Sequence, residues 1–348
     1  MRKRASVKWA LLGLFVAVIF MIGPLASAEV MKPLADGFPN RPITIVNTDE
    51  AGSRDGIYCR IIQEAIRPLS PVPILVSDEP APSHGSWYTV SELLKRKGGN
   101  EGYYVMQWSY SGGPTDLHIE PIEKELGVKL SDVKTVIVYE SIGDVLFQRK
   151  NAPWGPTFDG WVKYGKANPG KLRYITVDVG SGNDIRCSQI IQICGLEVNK
   201  IPMGSHERVA ATIGAGEGDF ALGKPDVVQA HWENGKVDVT VVLGAFVPAP
   251  FNKNPNIISW AQTKFPPVIS SEKGFTVVRG VPQERIDWLY RLFKAGADSD
   301  AYKKYLKTFP GIEKLLWPPA EGDALNQRAY KDSEPIIRSV GLHWDQQK

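Results

Sequence analysis

The chain has 348 residues, of which 43% are hydrophobic and 23% charged, with 33 glycines and 26 prolines. This is the composition of an ordinary globular protein, and it excludes a collagen, a coiled coil and a wholly disordered chain. The length predicts about two domains, because a single core stops growing near ~250–300 residues. The one stretch that is apolar enough for a membrane lies at the extreme N-terminus, which excludes a multi-span channel or transporter.

The first 28 residues have the layout of a secretory signal peptide. A basic stretch at residues 1–4 precedes an apolar run over residues 9–25 and an A-x-A cleavage site at residues 26–28. We expect cleavage after residue 28 and a periplasmic mature protein. Removing four basic and no acidic residues leaves 37 bases and 38 acids, so the formal charge falls from +3 to −1. A near-neutral chain has no basic field to attract nucleic acid, so we expect no nucleic-acid partner, and we expect a monomer.

Apolar periodicity predicts strands and helices in alternation along the chain. The predicted strands are residues 42–47, 72–76, 103–108, 135–140, 145–148, 172–177, 220–222, 237–242 and 274–278. The predicted helices are residues 57–67, 86–97, 157–168, 184–194, 208–213 and 226–232, with mainly helices after the last strand. Asp55 is the expected N-cap of the first helix. The alternation favours an α/β protein with parallel sheet, and since no single linker divides the chain, it favours two lobes joined by chain crossings.

The sequence offers little for catalysis or for a metal. It has no G-x-S-x-G nucleophile motif, no H-E-x-x-H among its five histidines and no C-x-x-C pair. Cys59, Cys187 and Cys194 are an odd number for an exported chain, and we expect small, buried, apolar-type residues at these positions. We therefore predict no enzyme, no cofactor and no metal site.

Three glycine-containing segments follow predicted strands: residues 48–56, 109–114 and 180–184. The first and third also open helices, where unpaired amides and the positive end of the helix dipole can bind a carboxylate or phosphate. Two such openings that face each other across a cleft could hold the two ends of a small anion. The alternative is that these are the ordinary turns of any α/β protein.

The order of several short strings resembles one family of exported proteins. R-P-I-T-I-V at residues 41–46, A-N-P-G-K-L at residues 167–172 and V-G-S at residues 179–181 resemble motifs of the solute-binding proteins of tripartite tricarboxylate transporters, the Bug family. The similarity spans nearly all of residues 38–342. The resemblance implies a type II periplasmic-binding-protein fold, with two α/β lobes, a two-strand hinge and an interlobe cleft. We place lobe 1 at residues 29–138 plus 245–348 and lobe 2 at residues 139–244.

The resemblance also implies a function: the receptor captures a small carboxylate and delivers it to the membrane subunits of a tripartite secondary transporter. Family contacts carried over to this chain fall on the loops at residues 51–55 and 180–184. With their neighbours, the expected ligand-binding residues are Asp49, Ala51, Gly52, Ser53, Arg54, Asp55, Trp87, Tyr110, Ser111, Gly180, Ser181, Gly182, Asn183, Asp184 and Arg186.

Some of these residues depart from the family pattern and leave the ligand open. The acidic Asp49, Glu50 and Asp184 could recognise the amine of an amino-acid-like ligand, or Arg54 and Arg186 could neutralise them so that the usual acid binds. The indole of Trp87 could stack on an aromatic ligand or pack in the core. Three other functions stay open on sequence alone: a periplasmic hydrolase that uses Ser181 or Asp55, a receptor that reports to a sensor kinase, and a receptor of another class of secondary transporter with the same fold.

Overall fold

The computed structural model describes residues 29–81, 85–244, 246–269, 271–309 and 311–347, so the predicted signal peptide lies outside the described residues. The strands are β1 Ile43–Asn47, β2 Ile74–Asp78, β3 Tyr104–Ser109, β4 Val133–Ile142, β5 Val145–Arg149, β6 Leu172–Thr176, β7 Val198–Pro202, β8 Phe220–Gly223, β9 Val237–Val242, β10 Ile258–Ser259, β11 Glu272–Val278 and β12 Ile312–Trp317. The helices are α1 Arg54–Ile66, α2 Ser86–Lys95, α3 Gly112–Ile119, α4 Ile122–Leu126, α5 Phe158–Ala167, α6 Gly182–Ile193, α7 His206–Gly214, α8 Pro225–Glu233, α9 Gln283–Gly296, α10 Asp300–Thr308 and α11 Pro319–Ser339.

These elements form two six-stranded sheets, which confirms the two α/β lobes. The first sheet has the order β12-β4-β11-β3-β1-β2 and the second the order β10-β9-β5-β8-β6-β7. The expectation of parallel sheet is wrong in part. β1 pairs in parallel with β2 and β3, but β11 pairs antiparallel with β3 and β4, and β5 antiparallel with β8 and β9. The sheets are mixed because β5 and β11, the strands by which the chain enters each lobe, run antiparallel to the neighbouring strands of that lobe.

The chain passes between the sheets at two places. β4 ends at Ile142 in the first sheet and β5 begins at Val145 in the second, so Gly143 and Asp144 form the first crossing. The return lies between β10 of the second sheet and β11 of the first. These two connections are the places where one lobe could turn against the other.

The sheets divide the chain at places different from the predicted lobe limits. Residues 139–142 continue β4 in the first sheet, and β10 extends the second sheet by pairing with β9. Trp260, just after β10, packs edge-on against Phe158 of the second lobe with ring centroids 5.7 Å apart. We therefore propose that the second lobe runs from β5 to the segment after β10.

Each sheet is covered by apolar residues on both faces, which explains why the strands read as continuous apolar runs. All six residues of β9 are buried, for example, and its predicted limits match the observed ones. The three cysteines are also buried and unpaired, as expected from their positions. Within the described ranges, no helix combines the length and the apolar character that a membrane span requires.

Candidate functional site

A buried carboxylate occupies the first crossing between the lobes. Asp144 is completely buried, with Arg186 of α6 2.7 Å and Lys224 2.9 Å from its two carboxylate oxygens. Burial alone would raise the pKa of Asp144, but the two neighbouring cations outweigh it and hold the pKa below its ordinary value. Asp144 is therefore an ionised anchor that joins the crossing, helix α6 and the turn before α8.

Asp144 alone does not neutralise the two cations that contact it. Burial lowers the pKa of Lys224 to about 8, and repulsion by Arg186 and Lys273 adds to that effect while Asp144 opposes it. The Arg186 Nε atom is buried and has no hydrogen-bond partner among the residues that the structure describes. An unpaired buried donor beside several cations is a suitable place for an anion.

A second group of charges lies at the start of α1. Arg54 forms an ion pair with Asp226 at 3.2 Å, which links α1 of the first lobe to α8 of the second. Asp55 pairs with Lys273 of β11 and accepts a hydrogen bond of 3.3 Å from Gln107. The Arg54 Nε atom, like that of Arg186, is buried without a hydrogen-bond partner within the described residues.

We call these residues the seam cluster, since they lie where the two lobes meet. Its members are Arg54, Asp55, Asp144, Arg186, Lys224, Asp226 and Lys273. Four cations and three carboxylates leave the seam cluster with one net positive charge. A small anion would balance this charge, and its attraction would be strongest beside Arg186, whose side chain is 5% exposed.

Beside Arg186 the seam contains a small cavity of about 30 Å³. The cavity is lined by Ser111, Gly112 and Thr115 of the first lobe and by Gly180, Gly182 and Arg186 of the second. The second and third predicted glycine segments therefore meet across the lobes, while the first approaches the same region through Asp55 and Lys273. A cavity of this size has room for only a few water molecules, since one water needs about 10–15 Å³ of it, so the lobes are closed too tightly here for an organic acid.

The backbone amides expected to bind an anion are partly occupied by their own side chains. Ser53, not Asp55, is the N-cap of α1, and its hydroxyl accepts the Gly56 amide at 3.0 Å. In the other opening the Gly180 amide donates to Asp184 Oδ2 at 3.0 Å, and the Asp184 amide donates to Ser181 Oγ at 3.3 Å. In this conformation, those three amides are unavailable to a ligand.

The acidic residues of the predicted site have different surroundings. Asp184 is buried and pairs with Lys200 at 2.7 Å, so a cation of the protein already neutralises it. Asn183 accepts a hydrogen bond of 2.8 Å from Arg186 and supports that side chain. Asp49, Ala51 and Gly52 lie on the exposed loop before α1, and the Asp49 carboxylate accepts a hydrogen bond from the Glu50 amide and none from the seam cluster among the described residues.

Trp87 and Tyr110 do not line the site. Trp87 is completely buried, donates from Nε1 to the Gly113 carbonyl at 2.7 Å and packs edge-on against Trp108. Tyr110 is completely buried as well, and its hydroxyl donates to the Ile137 carbonyl at 3.3 Å. Both rings belong to the core of the first lobe, because each satisfies its polar atom internally and has no exposed face for a ligand.

Sequence reasoning missed four members of the seam cluster: Asp144, Lys224, Asp226 and Lys273. Asp144 follows a glycine between two closely spaced predicted strands, a pattern that could have marked the crossing. Lys224 and Asp226 flank the proline that opens α8, and Lys273 lies in a strand, so nothing local distinguished these residues from surface charges.

Comparison with known proteins identifies the family. Residues 60–342 match the model of the tripartite tricarboxylate transporter family receptor. The chain belongs to this family. A relative in Bordetella pertussis, described as a UPF0065 protein, is 21% identical over 337 residues, which is 94% of this chain and 96% of the relative.

Two solved structures show the same fold. A TctC solute-binding protein from Polaromonas, solved without ligand, has a TM-score of 0.75 at 18% identity and covers 87% of this chain and 99% of its own. The R. palustris protein Rpa4515, solved with adipate, has a TM-score of 0.65 at 16% identity over 88% of this chain and 99% of its own. Membership in the receptor family makes this protein a solute-binding receptor and not an enzyme.

Proposed function

We propose that this receptor captures a small organic acid at the seam cluster and delivers it to the membrane subunits of a tripartite secondary transporter. The observation that carries the proposal is the set of four cations and three carboxylates between the lobes, of which Asp144 and Arg186 are buried, with unpaired Nε donors on Arg54 and Arg186. Guanidinium groups frequently bind a carboxylate through two parallel hydrogen bonds. The adipate in the related R. palustris structure supports this ligand class.

The charge balance bears on which acid binds. One surplus positive charge favours a ligand with one net negative charge over a dianion, whose second charge would have to be desolvated without a partner. The pairing of Asp184 with Lys200 removes one of the three acidic residues that could have recognised an amine. We therefore propose a monoanionic organic acid, aliphatic or aromatic, as the preferred ligand.

Binding requires motion of the lobes. The present cavity at the seam holds about 30 Å³, so the lobes separate to admit the acid and close again around it. Closure is favoured because the ligand would contact Arg54 from the first lobe and Arg186 from the second. We also propose that the protein is exported after removal of residues 1–28 and that it acts in the periplasm.

The proposal is tested by a thermal-shift screen of monocarboxylates, dicarboxylates, aromatic acids and amino acids. A true ligand at 100 times its Kd stabilises the fold by ~2.7 kcal/mol and raises the melting temperature accordingly. We expect at least one monoanion to give such a shift and dianions of similar size to give a smaller one.

Variants then locate the site. Lys224→Gln should abolish the shift, whereas Arg328→Gln, which removes an exposed cation on α11, should keep it. If no organic acid stabilises the protein, the proposed ligand class is wrong. If an acid binds equally well to the protein and to a folded Lys224→Gln variant, the seam cluster is not its site.

A further inference from the structure

A second cluster of ligand-type side chains lies away from the seam cluster, at the C-terminal end of the chain. His118 of α3, Glu334 of α11 and His343 of the segment after α11 each offer one ligand atom, and these atoms lie within 4.8 Å of one another. We propose that these three residues bind a divalent first-row transition metal, with Zn²⁺ as its fitting occupant. This inference does not depend on the proposed transport function.

The histidine orientations are those of a prepared metal site. The His343 Nδ1 atom lies 2.6 Å from Asp345 Oδ1, a bond that places the proton on Nδ1 and leaves Nε2 as a lone-pair donor. That Nε2 atom lies 4.0 Å from Glu334 Oε1. In zinc proteins, a carboxylate that accepts the proton of one ring nitrogen orients the other ring nitrogen toward the metal. Asp345 would have this role for His343, and Glu334 lies on the side of the free Nε2 atom.

His118 is held just as firmly. Its Nε2 atom lies 2.8 Å from the Tyr330 carbonyl oxygen, and its ring stacks on the Tyr330 ring with centroids 4.2 Å apart. The residues His118 and His343 are 2% and 3% exposed, so packing fixes the positions of their rings. The two buried imidazoles and the carboxylate of Glu334 thus bring three ligand atoms together at one side of the groove.

The distances allow coordination after a small adjustment. Zinc bonds of ~2.0–2.2 Å place tetrahedral ligand atoms roughly 3.3–3.5 Å apart, so the farthest pair must approach by about 1.5 Å. Arg338 Nε bonds to Glu334 Oε1 at 2.9 Å, and a carboxylate accepts several bonds through its two oxygens. Glu334 can therefore bind the metal while it keeps its partner.

The site opens onto a groove and would fasten three parts of the chain. The groove has a volume of about 410 Å³, and its lining includes all three ligands together with Leu117, Tyr330 and Trp344. Two histidines and one glutamate leave a fourth position for water or a small anion from this groove. A bound metal would fix the C-terminal segment to α3 and α11, beside Leu342, which lies next to Gly180 of the seam cavity.

The test is a titration of tag-free, metal-stripped protein with ZnCl₂ in competition with a chromophoric chelator. We expect one equivalent of tightly bound Zn²⁺, at least a 100-fold loss of affinity in Glu334→Gln or His343→Gln, and ~10-fold loss in Asp345→Asn. His231→Gln, which removes a histidine of α8, is the matched control and should bind as the parent does. Co²⁺ should give the intense visible absorption of a tetrahedral site.

The outcomes separate clearly. Absence of a saturable site in the parent protein, or equal affinity in the parent and in folded Glu334→Gln, would overturn the proposal. Glu334→Gln is the decisive variant because the Glu334 side chain is 42% exposed, so this protein should fold even if a histidine variant does not.

Discussion

Asp144 is the single residue on which the order of the seam cluster depends most. It is the only carboxylate in contact with both Arg186 and Lys224 in the described part of the chain, and all three side chains are largely withdrawn from water. Removing one partner of a buried ion pair costs far more than an exposed pair contributes, because the remaining charge is left without compensation.

Asp144→Asn is therefore expected to lower the free energy of unfolding by ~3 kcal/mol or more at neutral pH. The measurement is urea unfolding followed by circular dichroism. Asp332→Asn, a change at an exposed position of α11, should stay within ~0.5 kcal/mol of the parent protein. Equal effects of the two substitutions would show that the buried carboxylate does not stabilise its neighbours.

Glu140 of β4 gives a prediction about pH. It is completely buried, and burial raises its pKa to about 7 although Tyr305 and Tyr302 donate hydrogen bonds to it at 2.8 Å and 3.1 Å. Between its ordinary pKa of 4.5 and about 7, the folded state holds a proton that the unfolded state has released. The contribution of Glu140 to stability is therefore greatest at low pH and falls as the pH rises through this window.

Glu140→Gln should remove this fall. The difference in unfolding free energy between parent and variant is expected to change by on the order of 3 kcal/mol between pH 4.5 and pH 7, in the direction that favours the variant at higher pH. Parallel unfolding curves at several pH values measure it, and other titrating groups cancel in the difference. A constant difference across the window would contradict the assignment.

At the scale of elements, the sequence predicted most strands and helices because their apolar patterns are long and regular. It missed α3, α4, β7, β10 and β12. α3 begins with two glycines and a proline, α4 and β10 are short, and β7 and β12 contain charged residues between their apolar ones. It placed the glycine segments near the cleft but could not predict the seam cluster. Lys273 and Asp55 are far apart in sequence, and only the antiparallel placement of β11 beside β3 brings them together.

Gly274 explains why that placement of β11 is possible. A Cβ atom at this residue would lie 2.0 Å from the Ile137 carbonyl oxygen of β4, and the pairing of the two strands shifts register at the same point. A side chain at residue 274 would push β11 away from β4 and move the adjacent Lys273.

Gly274→Ala is expected to lower the unfolding free energy by about 2 kcal/mol or more and to weaken binding of whichever acid the thermal screen identifies. Gly52→Ala is the control, because a Cβ atom there meets nothing within 4 Å. Thermal unfolding and the ligand-induced shift measure the two effects. If the Gly274→Ala protein is as stable as the Gly52→Ala protein, then β11 can shift to accept a Cβ atom without a loss of unfolding free energy.

At the scale of the whole molecule, the Arg54–Asp226 pair is a direct polar contact between helices of opposite lobes. The two side chains are 22% and 28% exposed, so the pair is partly screened by solvent and its contribution is small. A contribution of at most ~1 kcal/mol still changes the ratio of open to closed molecules by up to about fivefold.

Asp226→Asn should therefore increase the open population in the absence of ligand. Small-angle X-ray scattering is expected to show a larger radius of gyration than for the parent protein, and saturating ligand should reduce it again. Glu233→Gln, at the other end of the same helix, should leave the scattering curve unchanged. Identical curves for all three proteins would show that this contact does not hold the lobes together.

The burial of all three native thiols has a practical consequence. Cys59, Cys187 and Cys194 are inaccessible, and burial raises the pKa of each thiol well above its ordinary value, so they react poorly with alkylating reagents. One cysteine introduced on the exposed loop before α1, such as Gly52→Cys, would be the preferred attachment point for a maleimide fluorophore. The receptor could thus become an optical biosensor for organic acids without deletion of any native cysteine.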